Sequence, residues 1–160
     1  MIVADILMWF FLIVGFYVVF NSYWLATQGL FPSFVNQCRE KIRIAPVRRF
    51  FFGLGLTVPI AGLGIVMLNA PKAWLKFFGA ALLIILFLTG LCGATGIAAQ
   101  IGMGLGKPED ESQSWRRVLR GGGVLGLTFI LPLAGWFLVL PMTLMMGLGA
   151  AVIPGRTMEP

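Results

Sequence analysis

The sequence predicts an all-α polytopic membrane protein with four transmembrane helices. Of its 160 residues, 59% are hydrophobic and 11% are charged, and the mean hydropathy is +0.93. Soluble domains are about 25% charged and 45–50% apolar. The apolar residues form four long runs, and a transmembrane helix needs about 20 such residues. We therefore expect one membrane-embedded helical domain over residues 1–160 and no separate soluble domain.

The first predicted span covers residues 6–25. It is apolar except for Asn21, and Trp9, Tyr17 and Trp24 are of the type that concentrates at membrane interfaces. The residues before it lack the basic segment of a signal peptide, and the apolar run is too long for one. We expect a retained span.

A polar, basic connection follows over residues 27–49. Only Glu40 opposes its five clustered cations, which are Arg39, Lys41, Arg43, Arg48 and Arg49. Basic residues near span ends resist translocation and face anionic cytoplasmic lipid. We expect this connection to be cytoplasmic and to contact lipid headgroups or a cytoplasmic partner.

Part of this connection has the spacing of an amphipathic helix. Phe34, Cys38, Ile42 and Ala45 fall on one helical face, and charged residues occupy the other faces. This pattern predicts an interfacial helix lying on anionic headgroups. An ordinary basic loop is the alternative.

The second and third predicted spans cover residues 50–68 and 73–101, joined by a short turn that we expect outside. The second contains Pro59, which predicts a helix kink that is tolerated in lipid. The polar loop 102–120 then returns to the cytoplasmic side. Its predicted contacts to lipid or a cytoplasmic partner are Arg116, Arg117 and Arg120.

The last apolar run, residues 121–153, is too long for one upright helix. It would rise about 50 Å, against a hydrocarbon core of about 30 Å. Pro132 and Pro141 are the predicted kinks. We favour one kinked helix, which gives four spans. A hairpin at 132–135 would give five spans and a cytoplasmic C-terminus.

Small residues form the strongest pattern for helix packing. They recur every four residues along the third span and its extension, at Gly90, Ala94, Ala98, Gly102 and Gly106. Gly122 and Gly126 offer a matching surface in the last run. Small residues let helix backbones approach closely. We predict a packing seam, within this chain rather than against a partner subunit.

The sequence offers few groups for catalysis. It has no histidine, the commonest general base and metal ligand, and almost no ionisable residue inside a span. Its cysteines, Cys38 and Cys92, form no CxxC pair, and we expect them at different membrane depths without a disulfide. We therefore expect no catalytic residue, metal or cofactor.

These observations favour a non-enzymatic accessory or scaffold subunit of a larger membrane complex. Its expected partners are membrane lipids and other membrane subunits, and not nucleic acid, because the basic residues flank spans. The alternative is a small transporter or channel for a neutral or lipidic solute, using helices broken at Pro59 and Pro132. Short loops and the absence of a glycosylation acceptor favour a bacterial inner membrane.

Overall fold

The computed structural model of the chain describes residues 2–105, 113–131 and 133–152. These residues form six α-helices and one π-helical segment, and they include no β-strand. The elements are α1 (Ile2–Leu30), α2 (Pro32–Ile44), α3 (Pro46–Leu68), α4 (Ala73–Gly104), α5 (Ser114–Ile130), the π-helical segment (Gly135–Val139) and α6 (Leu140–Val152). The all-α prediction is confirmed.

Four helical segments within the described residues are long and apolar enough to cross a membrane. They are Val3–Leu30, Pro46–Leu68, Ala73–Gly104 and Gly135–Val152. The predicted polytopic fold with four transmembrane helices is confirmed, and the chain is an integral membrane protein. The first three segments contain the predicted spans, whereas the fourth is only the second half of the predicted run 121–153.

α5 lies antiparallel to α4. Gly102 of α4 abuts the backbone of Arg117, and further along the interface Gly121 of α5 abuts the backbone of Ala98. Residue numbers therefore rise along α5 as they fall along α4.

α6 lies parallel to α4, in the opposite direction to α5. A Cβ atom on Gly90 would lie 3.3 Å from the Leu144 carbonyl oxygen, and one on Gly147 would lie 2.6 Å from the Ala94 nitrogen. Residue numbers thus rise together along α4 and α6. α5 and α6 are the two arms of a hairpin.

The favoured single kinked helix over residues 121–153 is therefore wrong, and the chain forms the alternative hairpin. Its first arm, α5, has 17 residues and is not one of the four segments that are long and apolar enough to cross a membrane. Pro132, a predicted kink, lies outside the described residues. A proline has no N–H with which to continue the hydrogen bonding of α5. Before it, Leu131 is extended, with ψ of 114°. Beyond it, Gly135 abuts the last turn of α5, which brings the arms close together.

The two other predicted kinks lie inside helices. Pro59 is an exposed residue of α3, which continues from Pro46 to Leu68. Pro141 is in the first turn of α6 and half-buried. Because Pro59 has no backbone N–H, it cannot donate the hydrogen bond that the Gly55 carbonyl would accept in a regular helix.

α4 is the central helix of the bundle, and it contacts every other α-helix. Its buried residues concentrate in its second half, from Gly90 to Gly102. The largest side chains that are fully buried around it are Trp24 of α1, Phe129 and Val118 of α5, and Val35 of α2. The core therefore lies toward the end of the bundle where α4 finishes.

We call this end the basic end, because the two predicted basic clusters lie there. α1 finishes at it, and Gln28 of α1 donates to Ser114 at the start of α5, at 3.4 Å. α2 crosses it against α4, where Gly96 admits the backbone of Cys38 and Arg39.

α2 confirms the helix expected within the connection 27–49, with a buried face that differs from the predicted one. Val35, Cys38 and Ile42 are buried, whereas Phe34 is half-buried and Ala45 forms the break between α2 and α3. The apolar face packs on α4 and α6 rather than on headgroups. α2 therefore shields part of α4 and α6 at the basic end of the bundle.

Candidate functional site

The predicted small-residue stripe faces the chain's own helices. Gly90, Ala94, Ala98 and Gly102 are all buried between α4 and the α5–α6 hairpin. Gly106 lies outside the described residues. Gly93, which the stripe did not include, also makes a close backbone contact, with Gly147 of α6. The described part of the seam lies between helices of the same chain.

Gly122 and Gly126 of α5 pack against α1 instead of against this stripe. A Cβ atom on Gly122 would lie 2.8 Å from the Trp24 ring and 2.9 Å from the Asn21 side-chain oxygen. One on Gly126 would lie 3.0 Å from the Tyr17 ring. These glycines accommodate large side chains of α1. The spacing of the glycines alone does not show whether they contact a side chain or the backbone of another helix.

The predicted lipid or partner contacts lie at the basic end, in two groups. Arg39, Lys41 and Arg43 lie on α2, Arg48 and Arg49 begin α3, and Arg116, Arg117 and Arg120 lie in the first turns of α5. Arg43 and Lys41 contact other residues of α2 and α6. Arg43 forms an ion pair with Glu40 at 2.6 Å, and Lys41 donates to the Ala150 carbonyl of α6 at 3.2 Å.

Arg48 differs from these neighbours. It is exposed, and within the described residues it forms no hydrogen bond or ion pair. Arg49, one residue later, is half-buried, and its Nε atom is buried without a partner. Arg48 is therefore a cation at the start of an apolar helix with its charge available to a ligand.

Beside Arg48, the outer face of α3 carries an open groove of about 660 Å³. We call it the α3 groove, lined by Arg48, Phe51, Phe52, Gly55 and Leu56. Its walls are apolar except for the arginine at its basic end. The sequence identified Arg48 and missed the rest, although positions 48, 51, 52 and 55 have the spacing of one helical face.

A second apolar cavity, of about 560 Å³, lies toward the opposite end. The hairpin contributes Phe129, Ile130 and Trp136, and α1 contributes Trp9, Leu12, Ile13 and Phe16. Phe16 and Trp136 stack across it, with ring centres 6.0 Å apart and planes inclined by 15°. Apolar, aromatic-lined cavities of this size are typical of sites for hydrophobic molecules.

Polar side chains at depth mostly serve the helices themselves. Thr89, Thr95 and Thr143 donate to the carbonyl four residues earlier. Tyr23 donates to the Leu88 carbonyl at 3.0 Å and contacts Cys92 at 2.9 Å, which ties α1 to α4. Within ranges 2–105, 113–131 and 133–152, no three His, Cys, Asp or Glu residues group as metal ligands.

Cys38 is the buried nucleophile nearest to the basic end. Its thiol is fully enclosed between α2 and α4, and burial raises its pKa to about 11, although Lys41 and Arg49 partly oppose the shift. Both cysteines are free. Cys38 packs at Gly96, one helical turn from Cys92, so the two lie closer in depth than the sequence suggested.

Comparison with protein-family models, curated proteins and solved structures found no match for this chain.

Proposed function

We propose that the chain is a non-catalytic accessory or scaffold subunit of a larger membrane protein complex. The observation that carries this proposal is the uncovered segment, residues 3–15 of α1, in which every residue is exposed. The second half of the same helix packs on α5 and contributes Phe20 and Trp24 to the core. α1 thus packs in the bundle over its second half, whereas its first half carries exposed side chains, of which Trp9, Leu12 and Ile13 border the second cavity.

The side chains of the uncovered segment suit contact with another apolar helix. Phe10 and Phe11 are 58% and 66% exposed, and their rings form an edge-to-face pair. In lipid, helices associate through van der Waals packing rather than a hydrophobic drive. Large aromatic side chains of the uncovered segment supply such packing area. The partner that fits is an apolar transmembrane helix of a different subunit.

The small-residue seam supports a scaffold role in another way. Its glycines are occupied by α5 and α6, so the bundle forms its own core without a partner. The chain then has a packed core at the basic end and the exposed apolar segment of α1 at the other end. This arrangement suits a subunit that anchors or positions a larger neighbour.

The proposal includes binding of anionic lipid at the basic end, which would face the cytoplasm of a bacterial inner membrane. The two basic clusters lie at the same end of the bundle, although a long stretch of sequence separates them. Grouping of this kind is what the positive-inside rule predicts for cytoplasmic ends. The transporter alternative has less support, because α3 continues through Pro59 and both cavities described above are apolar.

The test is affinity purification from the native membrane in mild detergent, followed by mass spectrometry of co-purifying chains. We expect a stoichiometric set of further membrane subunits. The double variant Phe10→Ala/Phe11→Ala should lose them. The matched control Phe77→Ala/Phe78→Ala should keep them, since it removes a similarly exposed phenylalanine pair from α4. Purification of the wild-type chain alone would contradict the proposal.

A further inference from the structure

We propose that the α3 groove binds one anionic phospholipid, with its phosphate at Arg48 and an acyl chain along the apolar wall. This proposal rests on the lipid-binding part of the proposed function and assigns it to a single site.

The shape of the groove suits an acyl chain. Phe51 and Phe52 are 62% and 53% exposed, and they form its walls one turn below Arg48. Gly55 leaves its floor open, because nothing lies within 4 Å of where its Cβ would be. From Arg48 to Leu56 the helix rises about 12 Å, close to the half-thickness of a hydrocarbon core of about 30 Å.

The charge of the groove selects an anion. Arg48 is the third residue of α3, at the boundary between the polar connection and the apolar run, where lipid phosphates lie. The guanidinium group suits phosphate, because its planar fork donates two parallel hydrogen bonds. Neighbouring cations outnumber Glu40, the one carboxylate of the α2–α3 region, and that carboxylate is already paired with Arg43.

The same wall favours a phospholipid over a soluble anion. A free phosphate would contact Arg48 and leave Phe51 and Phe52 uncovered, whereas a phospholipid covers both parts of the groove. Phosphatidylglycerol is a suitable probe, with zwitterionic phosphatidylcholine as its neutral counterpart.

The experiment is native mass spectrometry of the detergent-purified chain titrated with phosphatidylglycerol or phosphatidylcholine. We expect one tightly retained phosphatidylglycerol on the wild type and weaker retention of phosphatidylcholine. Arg48→Gln should weaken phosphatidylglycerol binding about tenfold or more, because a charged hydrogen bond to phosphate is lost. Lys76→Gln removes one positive charge from an exposed side chain in the first turn of α4, at the opposite end of the bundle, and it should leave binding unchanged.

A second pair of variants tests the wall without changing charge. Gly55→Leu should fill the groove and weaken binding about tenfold, by loss of the apolar contact. Gly62→Leu is the control, because Gly62 also lies on α3 with nothing within 4 Å of its Cβ position but does not line the groove. Circular dichroism and thermal unfolding check that all four variants fold.

The outcomes separate this site from the broader proposal. If the wild type prefers phosphatidylglycerol and all four variants bind it equally, the groove assignment is overturned while anionic lipid binding stands. If Gly55→Leu weakens binding and Arg48→Gln does not, the headgroup assignment is overturned. If the wild type shows no preference for phosphatidylglycerol, the lipid-binding part of the proposed function fails as well.

Discussion

Replacing Gly93 by alanine tests whether the backbone contact between α4 and α6 holds the bundle together. A Cβ atom at this position would overlap the Gly147 carbonyl group and lie 2.8 Å from the Gly147 Cα atom. Carbon atoms in contact normally stay about 3.5–4.0 Å apart. Backbone cannot rotate away as a side chain can, so α6 would have to move by about 1 Å.

The expected cost follows from two opposing effects. Overpacking of this kind destabilises by about 1–3 kcal/mol, and a gap of about 0.5–1 Å forfeits a quarter to a half of each contact's attraction. Alanine is the better helix former by about 0.5–1 kcal/mol. Gly93→Ala should therefore lower the free energy of unfolding by about 1–2 kcal/mol. Gly62→Ala, in open space on α3, should leave it unchanged or raise it slightly.

The assay is reversible unfolding in mixed micelles, titrated with sodium dodecyl sulfate and followed by far-UV circular dichroism. Both variants replace one helical glycine by the same residue, so effects on detergent binding cancel. A Gly93→Ala protein at least as stable as Gly62→Ala would refute the packing argument.

Three further predictions use the same assay or thiol labelling. Lys41→Met should lower the free energy of unfolding by about 0.5–1.5 kcal/mol, because the Lys41 amine donates to a carbonyl in the last turn of α6. Arg43→Met removes only an exposed ion pair and should lower it by less than about 0.5 kcal/mol. Equal losses for the two variants would contradict this prediction. Pro59→Ala should raise the free energy of unfolding by up to about 3 kcal/mol, because alanine supplies the N–H donor that the Gly55 carbonyl lacks. A lower free energy of unfolding would show that the proline is needed for packing. Maleimide should modify Cys38 slowly at neutral pH and faster as the pH approaches 11, and rapidly at neutral pH once the protein is unfolded. Fast labelling of the folded protein at neutral pH would contradict the burial of Cys38. Because folding raises the pKa of this thiol, the stability that it contributes is present below pH 9.0 and is lost as the pH rises toward 11.

Hydropathy and residue spacing predicted much of the fold. Three of the spans, the short turn between α3 and α4, and a seam of small residues on α4 follow from local patterns that each helix carries alone. The path of residues 121–153 does not. A proline at position 132 is compatible with a kinked helix and with a hairpin. Contacts between residues distant in sequence, such as Gly121 against Ala98, decide between these two arrangements.

The candidate sites were harder to predict for a related reason. A span that is apolar on every side does not show which face meets lipid and which meets protein. Phe51 and Phe52 could have been core residues, and only the position of α6 on the other side of α3 leaves them exposed. In α2 the buried face includes Val35 rather than Ala45, because α4 receives this helix at Gly96.

The most direct test of the accessory-subunit proposal is site-specific photocrosslinking in the native membrane. A photoreactive amino acid would replace Phe11 in the uncovered segment, or Phe77 on α4 as a control of similar exposure, 66% against 73%. We expect position 11 to crosslink to one other membrane polypeptide in high yield, and position 77 to crosslink to lipid. Crosslinks from position 11 to lipid alone, or to a second copy of this chain, would contradict it.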